Sequence, residues 1–95
     1  MNSSDEGISS FNALDLDAKG NLVFTRGEYV SVRTIYNALK IQLYNANGLY
    51  VEVHYNPTTN KIVNIQAVTQ DHVLEYYIDL RDLYYNDRGL IPPKK

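Results

Sequence analysis

The chain has no cysteine and no tryptophan, only three prolines and five glycines, and no long apolar run. Without cysteine it can form no disulfide staple, no thiolate metal site and no thiol nucleophile. No stretch approaches the ~18 consecutive apolar residues of a membrane span, so no transmembrane helix is expected. The first residues lack the basic-then-apolar pattern of a secretory signal, which makes the cytoplasm the default location. The few glycines sit mostly at turn-like positions, and no G-x-S-x-G, G-x-x-x-x-G-K-[ST] or G-x-G-x-x-G occurs. Charge of one sign is lacking too: nine Lys and Arg against eleven Asp and Glu give a net charge of -2. The cations are scattered, with only Lys94 and Lys95 adjoining at the chain end. Nucleic acid and membrane surfaces both call for clustered cations, so both are disfavoured as partners.

What is present is ordinary globular chemistry with one bias. The 95 residues are 44% hydrophobic and 21% charged, enough for one domain. Nine of the eleven Phe and Tyr residues are tyrosine. Tyrosine buries a large ring and keeps a hydroxyl for water or a partner, which suits half-buried sheet faces and interfaces. Residues 1–10 are rich in Ser, Asp, Glu and Gly and read as a disordered tail. Residues 87–95, with Pro92 and Pro93, read as a flexible one. A single domain is therefore expected over 11–86.

The middle of the chain alternates. Leu39, Ile41 and Leu43, then Leu49, Val51, Val53 and Tyr55, then Val63, Ile65 and Ala67 recur at every second position, bounded by turn residues. That is the strand signature, and it predicts an antiparallel meander from about Leu39 to Val68. Directly paired residues share a face, so an odd-numbered core on both strands requires Leu43 opposite Val51. This favours a three-residue loop, Ala46-Asn47-Gly48, over a two-residue Asn47-Gly48 turn. In the next connection, Asn56 to Asn60, Asn60 suits the left-handed conformation, and Val53 faces Val63 or Ile65.

Upstream, Asp17 to Asn21 between two apolar segments predicts a further hairpin with Gly20 at positive φ. Residues 28–44 read as strands with a bend at Asn37-Ala38; the alternative is a helix at about 26–44, opened by Thr25-x-x-Glu28. After Val68 the apolar period becomes helical through Val73, Tyr76 or Tyr77, Leu80 and Leu83 or Tyr84. Thr69 is the predicted N-cap of an amphipathic helix from about Gln70 to Tyr85, laid on the odd-numbered face. A short helix followed by a last strand through Tyr76 to Leu80 competes with it. The fold class is thus α+β: an antiparallel β-meander of four to six strands with one C-terminal helix packed on one face.

Chemical motifs are few. Asp15-x-Asp17-x-x-Gly20 matches the opening of a calcium loop, but Lys19 and Arg26 occupy ligand positions, and a hairpin turn explains the same residues. His54 and His72 are the only histidines, and neither spacing points to zinc. No catalytic, cofactor or metal residues are assigned. Two functional readings follow. In the leading one, a non-enzymatic interaction or accessory module binds a protein partner, or itself as a homodimer, through an even-numbered face carrying Tyr44, Tyr50, His54 and Ile62. In the other, Tyr36, Tyr55, Tyr76 and Tyr77 line a pocket between helix and sheet that holds a small molecule.

Overall fold

The computed structural model describes residues 3–35, 39–77 and 80, with side chains from Glu6 onward. Two helices, α1 (Ser3–Asn12) and α2 (Leu16–Arg26), precede four strands, β1 (Gly27–Ile35), β2 (Leu39–Ala46), β3 (Leu49–Asn56) and β4 (Lys61–Val68). A short helix, α3 (Gln70–Tyr76), follows. The strands form one antiparallel sheet in the order β1-β2-β3-β4, so the predicted meander has four strands, and residues 28–35 and 39–44 are strand rather than helix.

Two expectations at the N-terminal end are corrected. Residues 3–10 are not a tail but most of α1, and 16–26 form α2 rather than a hairpin. A helix as polar as α1 is held by what it packs on: Phe11 is buried against the sheet and Ile8 packs beside it. The calcium-like motif is a helix start. Asp15 caps α2, its carboxylate accepting from the Ala18 backbone N–H at 2.9 Å. Gly20 lies within α2 and not at positive φ; a Cβ there would meet Ile65 at 3.8 Å, an ordinary contact that does not require glycine. Gly27 ends the helix and opens β1 without a loop; a Cβ there would collide with the Val23 carbonyl oxygen, which only glycine avoids.

The central hairpin turns on two residues. Ala46 pairs with Leu49, Tyr44 with Val51 and Leu43 with Glu52, which overturns the predicted three-residue loop. Asn47 (φ 54) and Gly48 (φ 83) both take the left-handed conformation, as a type I′ turn demands. The parity rule misled because it assumed one core face, whereas both faces of this sheet are covered. Helices α1 and α2 lie on the face of Ala46, Val51, Val53, Ile65 and Ala67. The other face carries Leu43 and Val68, packed with Val73 and Tyr77 of the α3 segment. Residues 51–53 are accordingly buried without interruption, as in a strand covered on both sides. Helix α3 therefore packs on the even-numbered residues of β3, not the odd ones.

The other turns follow the sequence more closely. The Asn56 side chain accepts from the Thr58 and Thr59 backbone N–H groups at 2.9 and 3.3 Å, and Asn60 is left-handed (φ 62). Val53 pairs with Ile65, one of the two registers expected. Thr69 caps α3 as predicted, accepting from the His72 N–H at 3.1 Å. The continuation to Tyr85, the competing last strand beyond Tyr77, the bend at 37–38 and the tail at 87–95 lie outside the described residues, apart from Leu80 beside the Leu43 cluster.

Candidate functional site: a buried carboxylate hub

Three side-chain donors converge on one carboxylate. Glu52 points from β3 to the α3 face and is 1% exposed. Its Oε2 accepts from the Tyr77 hydroxyl at 2.8 Å and from Arg33 Nη2 on β1 at 3.2 Å. His72 Nε2, in the first turn of α3, stands 3.0 Å from the same oxygen. The register places these groups: the Leu43–Glu52 pairing turns Glu52 toward α3, and the Arg33–Ile41 pairing puts Arg33 on the same face. Arg33 is further held by the rings of Tyr76 and Tyr77, 4.9 and 5.4 Å from its guanidinium carbon. A single side chain thus ties β1 and α3 to the central strand.

The electrostatics follow from that convergence. Burial alone would raise the Glu52 carboxyl, but the Tyr77 hydroxyl, His72 and Arg33 together offset it and hold the group below its ordinary value of 4.5. Burial, reinforced by Glu52, pushes the Tyr77 hydroxyl well above its ordinary 10.0. Burial pulls Arg33 down, and Tyr77 and Glu52 more than restore it. His54 Nε2 lies 3.6 Å from Glu52 Oε1, too far for a hydrogen bond. Burial lowers its pKa from 6.5, and Arg33 reinforces that while Glu52 opposes it, so His54 is neutral at pH 7 and the contact is not an ion pair. Its Nε2 and Arg33 Nε are both covered and have no hydrogen-bond partner among the described residues.

These shifts fix the sign of a pH dependence. As pH falls through 6.5, His54 in the unfolded chain takes up a proton before the folded one does, so stability falls. A second loss follows as pH falls below 4.5, because folded Glu52 resists protonation longer than unfolded Glu52. Tyr77 adds the opposite limb: the unfolded chain loses its proton first as pH rises through 10.0, and stability falls again. The urea midpoint is expected to be flat from about pH 7 to 9 and lower on both sides. A higher midpoint at pH 5 than at pH 7.5 would contradict this assignment.

The predicted site residues do not share one surface. Tyr50 and His54 lie on the α3 face. Tyr44 and Ile62 lie on the opposite face, against the cluster beneath α1 and α2. The expectation of one face carrying all four depended on the three-residue loop. Of the alternative pocket, Tyr76 and Tyr77 meet at Arg33, while Tyr55 is on the opposite face and bonds Asn60 within the β3–β4 hairpin. Tyr36 lies outside the described residues. The hub residues Arg33, Glu52 and His72 were not singled out together. The available signal was an acid set between two valines in a buried strand, a position that demands partners.

The hub clasps β1 and the α3 segment to β3 through one carboxylate. Among the described residues no Ser or Thr hydroxyl is bonded to the imidazole ring of His54 or His72, and no three carboxylate or imidazole groups are arranged to hold a metal ion. No helix among those residues is long and apolar enough to cross a membrane. Comparison with protein-family models, with curated proteins and with solved structures finds no match.

The two edges of the sheet are finished differently. At β4 the Asn12 carboxamide acts as a partner strand: it donates to the Ala67 carbonyl at 3.2 Å and accepts from the Ala67 N–H at 2.7 Å. Among the described residues nothing comparable meets the outer edge of β1. Beside that edge stand Phe24, Tyr29 (56% exposed) and Val32, all exposed, with the Phe24 and Tyr29 rings each set edge-on to Tyr44 at 5.9 Å.

Proposed function

We propose that this is a small cytoplasmic, non-enzymatic interaction or accessory module that associates with a second copy of itself along β1. The contrast between the two sheet edges carries the reading. An open strand edge offers a row of backbone donors and acceptors, and sheet extension by a like strand is the simplest way to satisfy them. Beside it lies an aromatic and aliphatic flank, Phe24, Tyr29 and Val32, of the kind that interface cores use. A two-fold axis through paired β1 strands would bring both flanks together, and closed two-fold dimers are the commonest assembly. Of the residues expected at an interface, Tyr44 belongs to this surface through its ring contacts.

The test is the mass in solution. Native mass spectrometry and sedimentation should give twice 10.9 kDa for the wild-type chain. Tyr29→Lys with Val32→Lys should shift the dissociation constant at least about tenfold toward monomer, because charge on an edge strand opposes pairing. Circular dichroism should be unchanged, since both side chains are exposed. A monomeric wild type at concentrations up to about 1 mM, or a double variant that still assembles, would sink the proposal.

A further inference from the structure

Phe11, Val23, Val51 and Val53 are nearly fully buried, yet where α1 and α2 meet the β2–β3 hairpin there is a cavity of about 270 Å³. Its cause is visible in the sequence. The stripe of α1 facing the hairpin runs Gly7, Ser10, Phe11 and on to Leu14, with small residues where a packed helix carries large ones. Gly7 sets the approach of the helix, since a Cβ there would stand 3.2 Å from Leu49. Leu14 (37% exposed), Leu22 and Leu49 form walls that water would otherwise wet.

We propose that this cavity binds one small, neutral, mainly aromatic molecule carrying a single hydroxyl or carbonyl group. Size sets the scale of the part held inside: a 150 Å³ apolar cavity is known to take up benzene, so about 270 Å³, partly open to solvent, admits one ring with a substituent or two fused rings. Charge sets the class. Among the described residues no Lys, Arg, Asp or Glu lines the cavity, so an ionised ligand would lose its hydration without gaining a counter-charge from them. Ser10 and Asn47, both exposed and both at the lining, supply the polar groups that a single hydroxyl or carbonyl can meet. The site is separate from the Glu52 hub, which lies on the other face of the sheet.

Benzyl alcohol and benzoate share a ring and differ in charge, which makes them a suitable pair of probes. Amide chemical shifts of the full chain, titrated with benzyl alcohol, should move saturably at Gly7, Leu22 and Leu49, with a dissociation constant of about 1 mM or tighter. Benzoate should bind at least about tenfold more weakly at the same residues. Ser10→Trp, which places a large ring at the cavity's lining, should weaken benzyl alcohol at least about tenfold while the spectrum stays dispersed. Should that variant fail to fold, the discrimination between alcohol and carboxylate on the unaltered chain still decides. Shifts that do not saturate, that fall elsewhere, or that are equal for the two probes would overturn the proposal. So would shifts at these residues that follow protein concentration alone, which would assign the cavity to a second copy.

Discussion

Glu52→Ala is expected to cost about 3–5 kcal/mol of folding free energy, a large share of the roughly 5–14 kcal/mol that a domain of this length has. The side chain accepts from Tyr77 and Arg33 and stands within hydrogen-bond distance of His72 while almost fully buried. Removing it leaves a buried tyrosine hydroxyl without an acceptor and a partly covered guanidinium without its counter-charge, and it opens a gap beside Tyr77 on the α3 face of the sheet. Each of those losses is a desolvation cost that water cannot fully repair. Glu52→Gln keeps the shape and one acceptor oxygen, so it should fall between alanine and wild type. Tyr77→Phe removes one hydrogen bond and should cost about 1–2 kcal/mol. Urea unfolding at pH 7.5 measures all three. An alanine variant within about 1 kcal/mol of wild type would mean that the hub does not hold the fold. In a double-mutant cycle, Glu52→Ala with Tyr77→Phe should cost less than the two single changes together, because both remove the same bond.

The strands were legible because β-branched and aromatic residues alternate from Leu39 to Val68, and Thr69 marked the start of α3. The register was legible in principle and misassigned in practice. Asn47-Gly48 is the strongest two-residue hairpin signal in the chain, and both residues do take the left-handed conformation. It was outweighed by the assumption that Leu43 and Val51 must face one core. A one-residue slip moves every side chain to the other face, so that assumption displaced Glu52, His54 and Tyr50 as well. The clasp became invisible with it.

Helices α1 and α2 were hidden for a different reason. Their apolar content is low, and the residues that anchor them, Ile8, Phe11, Leu22 and Val23, are few and separated by Ser, Asp, Lys and Gly. Local propensity gives little helix for such segments; contact with the sheet supplies the rest. Asp15 reads in sequence as part of a hairpin, although an N-capping Asp before Leu16 serves equally well. The Asn12 bridge to Ala67 joins residues 55 apart in sequence, and no local pattern announces a contact of that span.

Leu43→Ala separates the two faces of the sheet experimentally. Leu43 is fully buried and packs with Val68, Val73 and Tyr77, so it is the apolar counterpart of the Glu52 clasp on the α3 face. Truncating a buried leucine costs the lost transfer free energy and the cavity left behind, about 2–5 kcal/mol. For a domain of this size each kcal/mol lowers the melting temperature by about 4–8 °C, so a fall of at least about 8 °C is expected. Hydrogen exchange should show where the loss falls: amides of α3 should exchange faster by local opening, while those of α2 follow global unfolding only. Val23→Ala, on the opposite face beneath α2, should leave the local protection of α3 unchanged. Because the intervening sheet keeps the two side chains out of contact, the double variant should be additive within about 0.5 kcal/mol. A coupling larger than that would mean that the two clusters share one core through the sheet. The Glu52 clasp would then be fastening the whole domain, and α3 could not open on its own.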